Sequence, residues 1–560
     1  MKNQLVKITD KARLISLLCL VICFSTFADT PILKAGIMSD THVTADMSSC
    51  SILKDALTLF KQHNVDLVIN AGDIADIYDP AAYRNYRKTF NNVFADTANP
   101  PKEIFAYAYH DVYKHKSKDP FVAFKDVRKH LEIKHAPYDV VRHKGYVFLI
   151  MPQYHTPEEY QKQLDIAAKE HGNKPFFIVD HIAPHDTVAV SLNGNYYVRQ
   201  MLEKHPDAIH ISGHNHSLLT NELNIWQGEF TAINAGFLHG SMRVKKTCDV
   251  AMIMEVFKDK IIFKRFFTDT QKEYKSSAEP WCIPLPFDKK TAPYSKEFRL
   301  KASPVPQFAE TAGIKVNTTD RKVELVFPHA APAKEINVYN ITLSEKRDGK
   351  YIPVSHSELS GPFADIRNVK DFCSTAFSIG YFDIGKSYQV KITPVHFSGK
   401  AGKPLVKDFE IKNKGKAEVV FESFSPMTEC KASYGIIGKL NFLDAKKDLL
   451  KDGYFHIDRE KIALRIHFPD RVWQSTRRYR FIFDAQILLA SDRAMHMQLR
   501  SLNPRKFTPV PVFTQPGNTL RYRYVLDTPP FDRKDYKFYL NLKNGGAGKV
   551  KIDYIRIERY

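Results

Sequence analysis

Aspartate and histidine recur through the first half of this chain at the ends of apolar stretches, in one order. They are Asp40-Thr-His42, Gly72-Asp73-Ile-Ala-Asp76, Tyr109-His110-Asp111, His181 and Gly213-His214-Asn-His216. Carboxylate and imidazole ligate Zn, Mn and Fe, and one carboxylate can bridge two ions. Each cluster stands where a buried strand would stop and a loop begin. A parallel sheet gathers such loops along the carboxyl ends of its strands, so residues remote in sequence meet at one point. In Asp40-Thr-His42, and again in His214-Asn-His216, a spacing of two directs both side chains to one side of an extended segment. Gly72 lets the chain turn tightly ahead of Asp73. The set reads as a two-metal hydrolytic centre with one piece altered.

The elements that must carry these residues alternate from about 31 to 270. Ile32–Met38, Val65–Ile69, Ile104–Tyr107, Val147–Met151, Phe176–Val179 and Ile209–Ile211 are short apolar runs, as expected of strands covered on both faces. Ser51–Gln62, Pro157–Glu170 and Tyr197–Lys204 have helical patterns. Phe230–Ile233, Ala251–Phe257 and Ile261–Phe267 follow without long helices between them and read as antiparallel strands. A layered α/β or α+β sandwich is expected over 29–275. Residues 276–310 are rich in Pro, Ser and Lys and read as a linker. Residues 311–411 show strands at Val323–Phe327, Ile336–Leu343, Phe377–Tyr381 and Tyr388–Pro394, punctuated by glycine turns, as in a β-sandwich. After a second linker at 412–416, residues 417–560 alternate strongly, and their strand number and length suit a jelly roll.

At 560 residues the chain exceeds one ordinary core, and 44% hydrophobic content with 12% aromatics excludes a disordered protein. Met1 to Arg13 carries Lys2, Lys7, Lys11 and Arg13, and the apolar run Leu14–Phe27 follows with Thr26-Phe27-Ala28 as a cleavage site. That is the pattern of a secretory signal peptide over 1–28, so a secreted or periplasmic location is expected. A retained anchor would need a longer run, and no later stretch reaches the roughly eighteen apolar residues of a transmembrane helix. Cys50, Cys248, Cys282, Cys373 and Cys430 remain after cleavage, an odd and widely spaced set that allows one or two long-range disulfides without a framework. The formal charge is +20, or +17 once residues 1–28 with their four Lys/Arg and one Asp are removed. Anionic partners such as acidic glycans or cell-surface polymers fit that charge, but with no dense basic block beyond Arg477-Arg478-Tyr-Arg480 the simpler reading is dispersed basic residues that aid solubility. A nucleic-acid role lacks a binding motif and a basic stripe.

The ordered set of motifs over residues 30–270 resembles the calcineurin-like metallophosphoesterase family, whose domain is a four-layer α/β sandwich. The resemblance implies two divalent or trivalent metal ions (Mn, Fe or Zn). Asp40, His42 and His216 would hold the first, Asp73 would bridge, and His181 and His214 would hold the second. It also implies hydrolysis of a phosphate mono- or diester by a hydroxide held between the metals. His110 would contact the phosphate and protonate the leaving oxygen, and Asp76 would be the carboxylate that orients it. The chain departs from the family at Ala108-Tyr109-His110-Asp111, where Gly-Asn would precede the histidine. The missing asparagine gives its amide oxygen to the second metal. Tyr109 either supplies a phenolate in its place or points away and leaves the position to water. His185 competes with His181 for its role, and His155 and His239 fall in post-strand loops where a surface reading is the simpler one. Residues 311–411 are similar to fibronectin type III or immunoglobulin-like modules. The ending Gly548-Lys-Val-Lys-Ile-Asp-Tyr-Ile-Arg-Ile resembles galactose-binding-like modules, where Trp473, Tyr522 and Tyr524 are either sugar-stacking aromatics or ordinary core and surface residues. A multidomain exported phosphoesterase is the expectation. A degenerate phosphoesterase-fold protein that binds through its β modules is the alternative.

Overall fold

The computed structural model describes residues 30–239, 250–274, 280–319, 322–364 and 371–412, and between 418 and 559 the β-strands of the C-terminal segment. The segment expected as a signal peptide, residues 413–416 of the second linker and Trp473 lie outside these residues. The chain divides into two compact units at 302/303.

The first unit is built on two sheets. One has the order β12-β11-β10-β1-β2-β3, with β13 added to β11. Its strands are β1 (Leu33–Met38), β2 (Leu67–Asn70), β3 (Lys102–Phe105), β10 (Val250–Val256), β11 (Lys260–Phe267), β12 (Lys272–Glu273) and β13 (Trp281–Pro284). The other has the order β4-β5-β6-β7-β9-β8. It comprises β4 (Asp139–His143), β5 (Tyr146–Ile150), β6 (Phe176–Val179), β7 (Ala208–Ser212), β8 (Ile225–Gln227) and β9 (Thr231–Asn234). β1, β2 and β3 run parallel, as do β5, β6 and β7, so each sheet presents a row of strand carboxyl ends.

The inward faces of both sheets share one core, in which Ile37, Ile69 and Met252 meet Phe148, Phe177 and Ile211. The outward face of the first sheet is covered by α1 (Cys50–Gln62), α2 (Pro80–Val93) and α4 (Pro120–Leu131), through Leu57, Phe60, Tyr86 and Phe124. The outward face of the second is covered by α5 (Pro157–Glu170) and α6 (Tyr196–Leu202), through Tyr160, Leu164 and Val198. Strands sandwiched this way are apolar throughout, which is why β2 and β6 read as unbroken hydrophobic runs. Three of the helices begin on a side-chain cap followed by proline: Asp79 caps α2, Asp119 caps α4 and Thr156 caps α5.

Two expectations need correcting. The strand at 231–234 pairs with β7 in parallel and is antiparallel only to β8, because the loop between β7 and β9 is long enough to return the chain to the same edge. The stretch read as a linker contains β13. Its Trp281 is fully buried, and the indole Nε1 donates to Glu222 Oε2 at 2.7 Å while Arg265 bonds Glu222 Oε1 at 2.7 Å. Proline-rich flanks concealed a short apolar triplet that the core requires.

In the second unit, residues 303–412 form two facing sheets. One contains β14 (Lys315–Thr318), β15 (Lys322–Pro328) and β18 (Phe372–Ser378); the other contains β17 (Lys350–Ser360), β16 (Ile336–Arg347), β19 (Ser387–His396) and β20 (Leu405–Glu410). Leu325, Phe327, Tyr339, Ile341 and Tyr388 fill the space between them. The run expected as a strand at Phe377–Tyr381 becomes the end of β18 and a 3-10 turn, Ile379–Tyr381. The strands from 418 onward form two further six-stranded sheets. Among the described residues Cys50, Cys282 and Cys373 are free thiols, and no helix is long and apolar enough to cross a membrane.

Candidate metal centre

The Asp and His clusters follow β1, β2, β3, β6 and β7, and parallel pairing brings their loops to one edge. His110 opens the short helix α3 (Tyr109–Val112). Two ligand groups form there. In the first, His216 Nε2 lies 3.0 Å from Asp40 Oδ1, His42 Nε2 lies 3.8 Å from the same oxygen, and the two Nε2 atoms are 3.4 Å apart. In the second, Asp73, His181 and His214 each offer an atom within 4.8 Å of the others, and His181 Nε2 approaches Asp73 Oδ2 at 3.1 Å. His42, Asp76 and His110 make a third, overlapping set.

The backbone holds these residues in an uncommon conformation. Asp40, His42, Asp73, His214 and His216 all have positive φ, at 51°, 42°, 51°, 69° and 44°. Such left-handed non-glycine residues are costly and gather where surrounding structure imposes them for a function. The imposing contacts are on hand. Asp40 N donates to the carbonyl of Gly72 (2.9 Å) and His42 N to that of Asp73 (3.2 Å), which ties the β1 loop to the β2 loop. His214 N donates to Asp40 Oδ2 at 3.0 Å, as does the Ser39 hydroxyl at 2.6 Å. His110 N donates to Asp73 Oδ1 at 3.0 Å.

These bonds occupy one oxygen of each aspartate and leave the other facing imidazoles. Asp40 Oδ1, His42 Nδ1 and His181 Nε2 are buried without a hydrogen-bond partner, despite the close approaches above. Buried polar atoms are almost always satisfied, so this convergence of orphaned oxygen and nitrogen fits a bound cation. His181 Nδ1 donates to the carbonyl of Ala71 at 2.8 Å, which directs the Nε2 lone pair to the centre.

Electrostatics follows the same arrangement. Burial opposes ionisation of Asp40, yet His181, His216 and His42 outweigh it and hold the carboxyl well below the usual carboxylate range. Asp73 is likewise lowered against its burial, chiefly by His181. Burial works against a charge on His181, but Asp73 and Asp40 push its pKa up to about 10. His214 is lowered by burial and by the neighbouring His181.

The roles of Asp76 and Tyr109 look different in three dimensions. His110 Nδ1 is held at 2.5 Å by the backbone carbonyl of Asp76, while the Asp76 carboxylate faces His42 Nδ1 at 3.6 Å. It is the main chain of Asp76, rather than the carboxylate, that orients His110. Tyr109 is 44% exposed and stacks on Tyr113 with ring centroids 5.2 Å apart, edge-on to His110. Its backbone N–H donates to Gln153 Oε1. Of the two fates open to Tyr109, this is the ring turned outward.

His185 stacks on Tyr196 at 3.6 Å, away from the ligand groups. His155 is no surface residue: its side chain is 1% exposed, its Nε2 lies 3.3 Å from the buried Asp180 Oδ2, and Tyr197 bonds its Nδ1 at 2.9 Å. His239 contributes its backbone N–H to the carbonyl of Asp40. Sequence reasoning gave no role to Asp111, which is fully buried and accepts from the N–H groups of Ile74, Ala75 and Ala108. Burial, then the nearby Asp73, raises its pKa to about 7. It clamps the β2 loop to the β3 loop. Its signal in sequence was weak, being one polar residue beside a more conspicuous histidine.

No family model matches this chain, and no curated protein matches it. Among solved structures it is similar to a dimetal phosphatase from Danio rerio, at 13% identity over 45% of this chain and 99% of that one, with a TM-score of 0.28. It is also similar to a purple acid phosphatase from yellow lupin seeds, at 11% identity over 43% of this chain and 52% of that one, with a TM-score of 0.32. A xylan-binding domain from Paenibacillus barcinonensis matches at 8% identity over 26% of this chain and 97% of that domain, with a TM-score of 0.17. Scores of this size do not establish a shared fold, so the assignment stays with the residues of the chain itself.

Proposed function

We propose that this protein is an exported phosphoesterase with a two-metal centre, and that its C-terminal β modules attach it to a glycan or a cell surface. The observation that carries the hydrolytic part is the convergence of five strand-end loops on one set of Asp and His side chains, of which Asp40 Oδ1, His42 Nδ1 and His181 Nε2 are buried and unsatisfied. Asp40, His42 and His216 would hold one ion, His181 and His214 the other, and Asp73 would stand between. Oxygen and imidazole nitrogen suit Mn, Fe or Zn. When bound, such a pair supplies Lewis-acid activation of water and neutralises charge on a phosphate mono- or diester.

The protein's own part is positioning and proton transfer. The carbonyl of Asp76 can only accept, so His110 Nδ1 carries a proton and the ring's other nitrogen is the one that serves the leaving oxygen. His110 therefore acts as an acid in its doubly protonated form, giving up the Nε2 proton and reverting to the neutral ring. Asp73 Oδ1 fixes the start of α3 through the His110 N–H, which couples the position of the acid to that of the Asp73 carboxylate. Export is supported by the charged, then apolar, N-terminus.

The test is turnover of bis-p-nitrophenyl phosphate, and of p-nitrophenyl phosphate, by the Mn²⁺-loaded chain beside Asp73→Asn. Turnover abolished by the substitution is the expected result. The outward Tyr109 ring favours one second reading, a centre short of a ligand in a protein that acts by binding. Folded, metal-loaded protein without turnover on either ester would select it.

A further inference from the structure

The second unit contains a cleft of about 650 Å³ that no role has absorbed. Its floor belongs to the C-terminal sheet that joins Tyr479–Leu489, Tyr522–Asp527 and Gly548–Arg559. Cross-strand pairing sets Ile482 opposite Arg556, and Asp484 opposite both Tyr554 and Arg523. These side chains share the face opposite to Phe481, Phe483, Ile555 and Ile557, which are buried. One wall is β17, through Ile352, Pro353 and Val354; the end is closed by the turn Ile379–Tyr381. That turn sits directly on the sheet. A Cβ on Gly380 would lie 2.4 Å from Arg480 Cδ and 2.9 Å from Val525 Cγ1. Tyr381 Oη accepts from Val525 N at 3.3 Å.

The charges in the cleft balance: Arg347, Arg523 and Arg556 stand among Asp383, Asp484 and Asp553. Two of the guanidinium groups are tied to neighbouring carboxylates. Arg523 forks onto Asp484 (Nε–Oδ1 2.9 Å, Nη2–Oδ2 3.2 Å) and reaches Asp383 at 3.3 Å. Arg556 is committed to Glu558 through Nη2 at 2.8 Å, which leaves its buried Nε with no hydrogen-bond partner. A phosphate or carboxylate entering here would meet as many acidic groups as basic ones. A hydroxyl, which both donates and accepts, is instead matched by a carboxylate and a guanidinium side by side. Pro353, Val354, Ile482 and Tyr522 add apolar surface for the C–H face of a ring, and the volume is that of a small-molecule site.

We propose that this cleft is a binding site for neutral, hydroxyl-rich sugar residues, held between the two β-sandwiches of the second unit. The proposal deepens the attachment role given above to the C-terminal modules and is independent of hydrolysis. The test is calorimetric titration of the full chain with methyl glycosides of glucose, galactose, mannose and xylose, their linear trisaccharides, glucuronate and inorganic phosphate. Saturable binding of at least one neutral sugar is expected, with Kd at or below about 1 mM. Asp484→Asn, which breaks the charged fork on Arg523 and leaves it the longer bond to Asp383, and Ile352→Trp, which narrows the mouth at a partly exposed wall position, should each weaken it at least tenfold. Should Asp484→Asn fail to fold, Ile352→Trp carries the test. No binding by any neutral sugar, tighter binding of glucuronate or phosphate, or unchanged affinity in folded variants would overturn it. Binding is read without turnover, so an inactive metal centre leaves this result intact, and the converse also holds.

Discussion

Replacing Gly72 by alanine should damage the second ligand group specifically, and the structure sets the size of the effect. Gly72 has φ +103°, and a Cβ there would lie 2.6 Å from His181 Nδ1 and 3.1 Å from Ala108 Cβ. Holding alanine in such a conformation costs about 1–3 kcal/mol. The collision falls on the nitrogen that donates to Ala71 O at 2.8 Å, and leaving that buried pair unmade adds about 1–3 kcal/mol. The folded state should therefore lose about 2–6 kcal/mol, a fall in Tm of roughly 4–24 °C for a unit of this size. Loss of the contact that orients a ligating histidine lowers metal affinity about 10- to 100-fold. Metal content by mass spectrometry and calorimetric titration with Mn²⁺ should then show one strong equivalent retained and one weakened. Gly172→Ala is the control, since Gly172 has φ +63° but nothing within 4 Å of the added methyl. That change should cost about 1–2 kcal/mol and leave metal binding as it was. Two equivalents bound with unchanged affinity in Gly72→Ala would refute the placement of His181 in the centre.

Further predictions address the neighbouring groups. Gly213→Ala should strike the first group instead, because its Cβ would sit 1.8 Å from Ser39 Oγ and 2.5 Å from Asp40 Oδ2; metal titration should show the strong equivalent lost. His181, with its pKa pushed up to about 10 by Asp73 and Asp40 against its burial, carries a proton at pH 8 in the metal-free protein. Ligation needs the neutral ring, so metal uptake should release that proton, and affinity should rise with pH until about 10. Calorimetry in two buffers of different ionisation enthalpy checks this, and identical heats would contradict it. Tyr109→Phe should bind metal like the parent, since the phenol ring is turned outward; a lost equivalent would show that the hydroxyl ligates. Glu222→Ala should destabilise the first unit by about 3–5 kcal/mol in urea unfolding, because it strands the buried Arg265 and the Trp281 indole together.

The sequence by itself determined which residues could form the centre and which strands deliver them. Asp40, His42, Asp73, His181, His214 and His216 stood out as candidate ligands because each follows an apolar run, and such runs become buried parallel strands whose carboxyl ends align. The helix over Pro157–Glu170 and the strands expected at Ile336–Leu343 and Tyr388–Pro394 were local patterns too. Contacts between segments far apart in the chain carried no such trace. Whether Asp76 would orient His110 by its carboxylate or by its carbonyl depended on how the β2 loop folds against α3, a matter of ångströms. The direction of Tyr109 depended on Tyr113 one helical turn away, and the role of Asp111 on three N–H groups that only a closed loop pair brings together. Trp281 belonged to the core because β11 had an open edge and Glu222 a free carboxylate oxygen, neither visible from the proline-rich stretch around it. Residue type and period are properties of neighbours in the chain, whereas ligand geometry is a property of neighbours in space, and only packing converts one into the other.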